Sequence, residues 1–351
     1  MLQYSNKVLQ SDMLDIINAN LPYESFKDKS VLITGATGMI ATYLVYFFNF
    51  LNTKKQYNIK IYALVRNKKK AEFLFKEILN EDNFFLLEQD IEEEIKLYEK
   101  IEWILHLASS ANPQTILKNP ISIIKANTIG TFNVFEFARK NNAKVFFSST
   151  REIYGKVENI DFIKEHEMGI VDPLERRACY PESKRVSETI CQSYAFQYGI
   201  DYRIARIAHV YGPGMNIDND GRIMSDIISD VVNNRNIILK SNGEALRAFC
   251  YISDAIIGIL TIILKGKKNE IYNLSNEIEE ISIKNLAELA VKIFPEKNIK
   301  VEYQVLNLNN FVYTDYKRVG LDNKKLNLLG WDININLKEG IKKTVKSFEK
   351  I

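Results

Sequence analysis

Residues Ser30-Val31-Leu32-Ile33-Thr34 make a short apolar, β-branched run, and Gly35-Ala36-Thr37-Gly38-Met39-Ile40-Ala41 follows it with no spacer. An apolar stretch then continues to Leu51. A buried strand, a glycine turn and a helix are the reading these residues allow, and that context gives a glycine motif its meaning. Gly35 permits the tight turn, Gly38 lets a pyrophosphate approach the backbone, and Ala41 is small enough for helix to pack on sheet. The helix start, with Thr37, Met39 and Ile40, presents free N–H groups and a positive dipole end to phosphate. A plain βα turn is the alternative, but with this strand and helix around it the motif points to an α/β fold with a dinucleotide at the carboxyl end of its first strand.

The following segments alternate in the same way. Ile59 to Val65 reads as a second strand, ending at Arg66. An acidic residue there would hydrogen-bond the ribose of NAD, whereas Arg suits a 2′-phosphate, so the cofactor is NAD or NADP with NADP favoured. Phe84 to Glu88 reads as a third strand, with Asp90 and Ile91 placed to reach the adenine. Ile101 to Ser109 is a fourth strand and its exit loop, where the small residues Ala108 and Ser109 after Leu107 let a dinucleotide come close. His106 fits a structural role as well as a functional one. A long helix from Pro120 to Asn141 carries Asn127, which needs a polar partner if buried. Lys144 to Ser149, including Ser148, is a fifth strand and runs into Thr150-Arg151-Glu152.

Tyr180-Pro181-Glu182-Ser183-Lys184 opens the next helix. Tyr and Lys four apart lie one turn above each other. Such pairs also occur on solvated faces, but a cation beside a phenol favours the phenolate and so suits acid/base work near neutrality. A sixth strand, Tyr202 to Ile207, ends near His209-Val210-Tyr211-Gly212-Pro213-Gly214, where the pattern changes. We expect a helical arm over 1–27 and a dinucleotide-binding domain over 28–212 with about 243–264. A smaller α/β lobe over 213–242 and 265–351 would take the substrate.

Composition narrows the partners. A net charge of +3 over 351 residues gives no electrostatic case for nucleic acid. The longest apolar run, Tyr43 to Leu51, is too short to span a bilayer. Three cysteines (Cys179, Cys191, Cys250) argue for a reducing compartment, and Met1 to Ser11 has no signal-peptide pattern, so a cytoplasmic location is expected. No Cys/His spacing makes a metal site.

With these pieces in order, the chain resembles the extended short-chain dehydrogenase/reductases of the nucleotide-sugar epimerase/dehydratase family, from about Ser30 onward. The resemblance implies that Tyr180 takes the proton of the sugar O4 hydroxyl while the nicotinamide accepts hydride from C4. It further implies that Lys184 holds the nicotinamide ribose and lowers the Tyr pKa, and that Thr150 hydrogen-bonds the reacting oxygen. Arg247 and Arg222 would bind the pyrophosphate of a nucleotide-diphosphate sugar, with His209 where the family usually has an Asn. A homodimer through the two long helices is implied in the same way.

Arg151 is the informative departure. The 4,6-dehydratases resemble this stretch but have Asp-Glu after the Thr, the Asp protonating the departing hydroxyl. An Arg is a poor general acid, although Glu152 remains, as in the family's hexuronate decarboxylases. Arg151 could pair with a uronate carboxylate or turn outward into a salt bridge. The simplest expectation is a 4-epimerase. A 4,6-dehydratase, a hexuronate decarboxylase, an NADPH-dependent 4-keto-sugar reductase and a non-enzymatic NAD(P)-sensing scaffold are the alternatives.

Overall fold

A computed structural model describes residues 1–109, 112–218, 220–304 and 319–349. Its centre is a seven-stranded parallel sheet. We label the strands β1 (Ser30–Thr34), β2 (Lys60–Val65), β3 (Phe84–Glu88), β4 (Trp103–His106), β5 (Lys144–Thr150), β6 (Tyr202–Ile207) and β7 (Glu270–Leu274). Their spatial order is β7-β6-β5-β4-β1-β2-β3, so the strand order reverses between β1 and β4. In a doubly wound sheet that reversal opens the ligand crevice at the carboxyl ends of the strands.

The strands are apolar on both faces, as a sheet covered by helices on each side requires. Val31 and Ile33 point to one core and Leu32 to the other, following the two-residue period of a strand. The first core is closed by α1 (Lys7–Asn18), α2 (Met39–Lys55) and, later in the chain, α8 (Ile252–Lys265). The second lies under α5 (Pro120–Asn141) and α6 (Cys179–Tyr198), which pack side by side. The short helices α3 (Lys68–Leu74) and α4 (Pro113–Lys118) flank the β2–β3 and β4–α5 connections.

The arm over residues 1–27 covers the main domain. Asp12 of α1 is fully buried and accepts from the hydroxyls of Tyr43 (2.8 Å) and Tyr251 (2.9 Å), while Lys343 stands 2.7 Å away. Burial raises the Asp12 pKa, and Lys343 offsets part of that rise. Lys343 belongs to α11 (Leu337–Phe348), so one carboxylate ties both ends of the chain together.

The C-terminal segments differ from the expectation at one place. Glu270 to Leu274, assigned with the lobe, pairs with β6 in parallel and is the seventh strand of the sheet. Its β-branched content is low, and nothing local distinguishes it from the short lobe strands; only its partner does. The rest of the lobe comprises α7 (Ile223–Val232), α9 (Ile283–Ile293), α10 (Lys324–Asn327) and two-stranded pairs such as Leu246–Ala248 with Glu280–Ser282. Among the described residues no helix is long and apolar enough to cross a membrane, and no cluster of candidate ligands could hold a metal ion. The three cysteines are unpaired.

Candidate active site

The dinucleotide cradle follows from backbone shape. Gly35 adopts φ +66°, and a Cβ there would lie 2.7 Å from the Cα of Ala108. Only glycine allows both the left-handed turn and that approach. The turn is held from below, since Thr34 Oγ1 accepts from the N–H groups of Leu107 and Ala108, each at 3.2 Å. Gly38 caps α2 without any side-chain hydrogen bond, leaving the first N–H groups of the helix open beside Thr37, Met39 and Ile40.

Two buried polar atoms have no partner among the described residues, Ser109 Oγ, next to Ala108, and Asn127 Oδ1. Asn127 Nδ2 donates to Ser183 Oγ at 2.8 Å, which fixes the amide. Orphaned buried acceptors are rare and ask for a ligand or water. The glycine turn, the open helix end and these two atoms therefore fit a dinucleotide.

At the adenosine end, Arg66 stands 4.0 Å from Asp90, and its side chain is 64% exposed. A carboxylate so placed offsets the charge that Arg66 would offer to a 2′-phosphate, which removes the basis for favouring NADP. Ile91 is buried, and a Cβ on Gly130 would meet its side chain at 3.0 Å. That side chain is thus committed to α5, leaving only its backbone for the adenine. His106 is structural. Its Nδ1 pairs with Thr34 Oγ1 at 2.8 Å and its Nε2 with Thr131 Oγ1 at 3.3 Å. Burial first, and then the Lys184 charge, pushes its pKa down to about 3, so the ring is neutral.

The carboxyl end of β5 and the start of α6 bring the reacting groups together. Tyr180 and Thr150 are both buried, and the Thr150 hydroxyl is among the groups that pull the Tyr180 phenol down. Thr150 Oγ1 also accepts from the Glu152 N–H at 3.2 Å. Lys184 is buried, donates to the Ser148 carbonyl at 2.8 Å, and stands 4.5 Å over the Phe147 ring. Burial depresses its pKa to about 8. Burial, with the Glu152 carboxylate second, holds the Tyr180 phenol well above its ordinary value. The groups that pull it down most are Thr150, Arg222 and Arg177. The expected help from Lys184 is thus not the leading influence on the phenol: the amine is turned to the Ser148 carbonyl and is itself hard to keep charged.

Glu152 pairs with Arg177, whose Nη2 lies 3.4 and 3.5 Å from the two carboxylate oxygens. Arg177 was not among the residues singled out from the sequence. It lies in the loop before α6, where no local pattern marks it. Arg151 reaches across to the C-terminal segment, donating from Nη2 to the Val319 carbonyl at 3.2 Å. Arg222 pairs with the buried Asp220. His209 takes φ +46° and its ring packs 5.9 Å from that of Phe249. Asn enters the left-handed region more readily than other non-glycine residues, which fits the family's usual choice there. Arg247, on the strand Leu246–Ala248, donates to the Leu246 carbonyl at 2.7 Å.

The site is therefore a phenol, a hydroxyl, a carboxylate and two guanidiniums gathered beyond the glycine cradle. The family model described as NAD dependent epimerase/dehydratase matches residues 31–275. UDP-glucuronic acid decarboxylase 1 of Xenopus tropicalis is 32% identical over 323 residues, covering 92% of this chain and 72% of that protein. UDP-glucuronic acid decarboxylase 6 of Arabidopsis thaliana is 32% identical over 313 residues, 89% of this chain and 86% of that protein. Among solved structures, UDP-glucose 4-epimerase of Thermotoga maritima superposes with a TM-score of 0.76 at 24% identity, covering 91% of this chain and 98% of that one. The fold, the cofactor crevice and the breadth of these matches agree: the chain is an enzyme of the NAD dependent epimerase/dehydratase family, built as an extended short-chain dehydrogenase/reductase.

Proposed function

We propose that this enzyme decarboxylates a nucleotide-linked hexuronate, with UDP-glucuronate as the first candidate. The observation that carries the reading is Arg151. Elimination of the C6 hydroxyl needs an acid at the position after Thr150, and a guanidinium bound to the Val319 carbonyl cannot serve. Loss of CO2 needs no such acid. The names of the relatives that align over about nine-tenths of the chain support the same outcome.

Tyr180 takes the O4 proton as the phenolate, a form that the positive charge of bound NAD would favour, with Thr150 holding the oxygen as it becomes a carbonyl. Bound NAD supplies the acceptor, and later the donor, of the C4 hydride. The C4 carbonyl is β to the C6 carboxylate, so the C5–C6 bond breaks and its electron pair moves into the C4–C5 enolate. Glu152, half exposed beside Arg177, then relays a proton from solvent to C5. Arg177 and Arg222 offset the negative charge of Glu152 and of the entering uronate. Lys184 holds the ribose side, and Arg247 meets the pyrophosphate from the lobe.

Mass spectrometry after incubation with NAD and UDP-, GDP-, CDP- and dTDP-sugars in D2O tests the reading. The expected product is a UDP-pentose that has lost CO2 and gained one deuterium at C5. A product of unchanged mass, inverted at C4, would replace decarboxylation by epimerisation.

We place a homodimer on α5 and α6, which leave Ile121, Ile129, Phe132, Val186 and Phe196 exposed. An apolar face of that size on paired helices suits a second copy of the same face. Phe132→Glu should give a monomer in sedimentation; an unchanged oligomer would move the interface elsewhere.

A further inference from the structure

Beyond the groups that meet the substrate, the seam between β5 and α6 contains a buried ion pair that the reaction does not use. Residues 180, 184 and 188 are spaced four apart and so point along one line of α6. Each meets one of three successive residues at the end of β5. Tyr180 faces Thr150, Lys184 bonds the Ser148 carbonyl at 2.8 Å, and Glu188 accepts from Ser149 Oγ at 2.5 Å. Three turns of the helix are thereby tied to the last three residues of the strand.

Glu188 is fixed from the other side as well. Arg206 donates from Nε to Oε1 at 3.1 Å and from Nη2 to Oε2 at 2.6 Å, a two-point fork. Arg206 is the register partner of Ser149 across the β5–β6 pair, so strand pairing itself delivers both ligands of Glu188. The guanidinium continues to Tyr154 Oη at 3.0 Å and the Glu165 carbonyl at 2.6 Å. The two charged side chains are only 5% and 10% exposed. An apolar pair of equal volume would often be as stable as such an ion pair, so a role other than stability should be sought.

We propose that Glu188, gripped by Arg206, is a positioning residue that sets α6 against β5 and so places Tyr180 on Thr150 and Lys184 on Ser148. A second consequence concerns charge. The groups facing Lys184 are Glu188 and Cys191 from α6, His106 from β4, the Phe147 ring from β5, and Arg206 of β6 through Glu188. Burial depresses the amine, and Cys191 and then Glu188, the carboxylate among them, oppose it. The inference needs only chemistry at Tyr180 and Lys184 and stands whatever becomes of the sugar.

The test uses protein labelled with 13C at lysine Cε, with Lys184→Met assigning the resonance. The Lys184 titration midpoint should fall by about one unit in Glu188→Gln, because a facing opposite charge favours the charged amine. A purely structural carboxylate would lower stability and leave that midpoint in place. Glu188→Gln/Arg206→Gln removes both charges but keeps hydrogen-bonding side chains, so it folds even where the single variant is left with a bare Arg206. In this double variant kcat should drop about tenfold or more with KM for the nucleotide sugar within about twofold, the mark of misplaced reacting groups. Turnover is read on whichever nucleotide sugar the wild type converts, and the NMR titration needs no substrate. A protein that epimerises would refute decarboxylation and leave this inference to the variants. An unmoved Lys184 midpoint, or full kcat in the double variant, would overturn it.

Discussion

The β5–α6 seam and the β1–α2 cradle sit at the carboxyl ends of two strands with only β4 between them, yet they are built by opposite means. Along the seam Thr150, Ser148, Ser149, Tyr180, Lys184 and Glu188 satisfy one another through side chains and carbonyls. At the cradle the structure works by omission: glycines remove atoms, the helix start lacks a side-chain cap, and Ser109 and Asn127 each leave a buried atom without a partner among the described residues. The seam is complete before anything binds, and the cradle is completed by its ligand. Changes to the seam should therefore alter rate and pH response, and changes to the cradle should alter affinity.

The largest effect expected at the seam is that of Tyr180→Phe. It removes the proton acceptor and leaves the ring, so kcat should fall by about 10²–10⁴-fold, the usual contribution of a general base. NAD affinity, measured by calorimetry, should stay within a few-fold. Near-full turnover would remove Tyr180 from the chemistry altogether.

Lys184 sets the pH response. Its pKa falls from 10.5 in the free side chain to about 8 in the fold, owing to burial. Between those values the unfolded chain binds more protons than the folded one, so stability rises with pH there. The gain is lost again as pH falls through 8, and its size is at most about 3 kcal/mol. Denaturant midpoints of wild type should thus climb from pH 7.5 to pH 10 relative to Lys184→Met. The alkaline limb of the rate profile should fall near the same midpoint, where the amine loses its proton.

The contrast also explains what could be read from the sequence. The cradle was legible residue by residue, because glycine at a strand end and a small residue one turn into the helix are local requirements. Tyr180 and Lys184 were legible as a spacing, and the helix bounds around Pro120–Asn141 came from its apolar pattern and proline start. Glu188 shares that spacing, but its meaning depends on Arg206, which reaches it only through the pairing of β5 with β6. The seventh strand was missed for the same reason. Arg177 needed the loop before α6 to fold back onto Glu152, and no local pattern encodes that return.

At the cradle, Gly35→Ala should cost more than a typical glycine substitution. The φ of +66° and the 2.7 Å approach to Ala108 act together, and the obstacle is backbone that cannot rotate away. A loss of about 1–3 kcal/mol is expected in stability, with at least a tenfold rise in the Kd for NAD. If stability drops and the affinity of the folded fraction does not, the turn is structural and phosphate binds elsewhere.

The smallest effect is the most diagnostic of the difference between the two regions. Ser109→Ala deletes a buried hydroxyl that has no partner among the described residues. An unpaired buried polar group costs about 1–3 kcal/mol, so the ligand-free variant should melt higher than wild type, by a few degrees at most for a chain of this size. With NAD bound the order should reverse, because the hydroxyl would then have its partner and the variant would not. A seam residue cannot behave this way, since Ser149→Ala would strip Glu188 of a donor and lower stability with or without ligand. Thermal melts of both variants, each with and without NAD, measure the crossing directly. Parallel shifts for Ser109→Ala in the two states would mean that the hydroxyl does not face the cofactor.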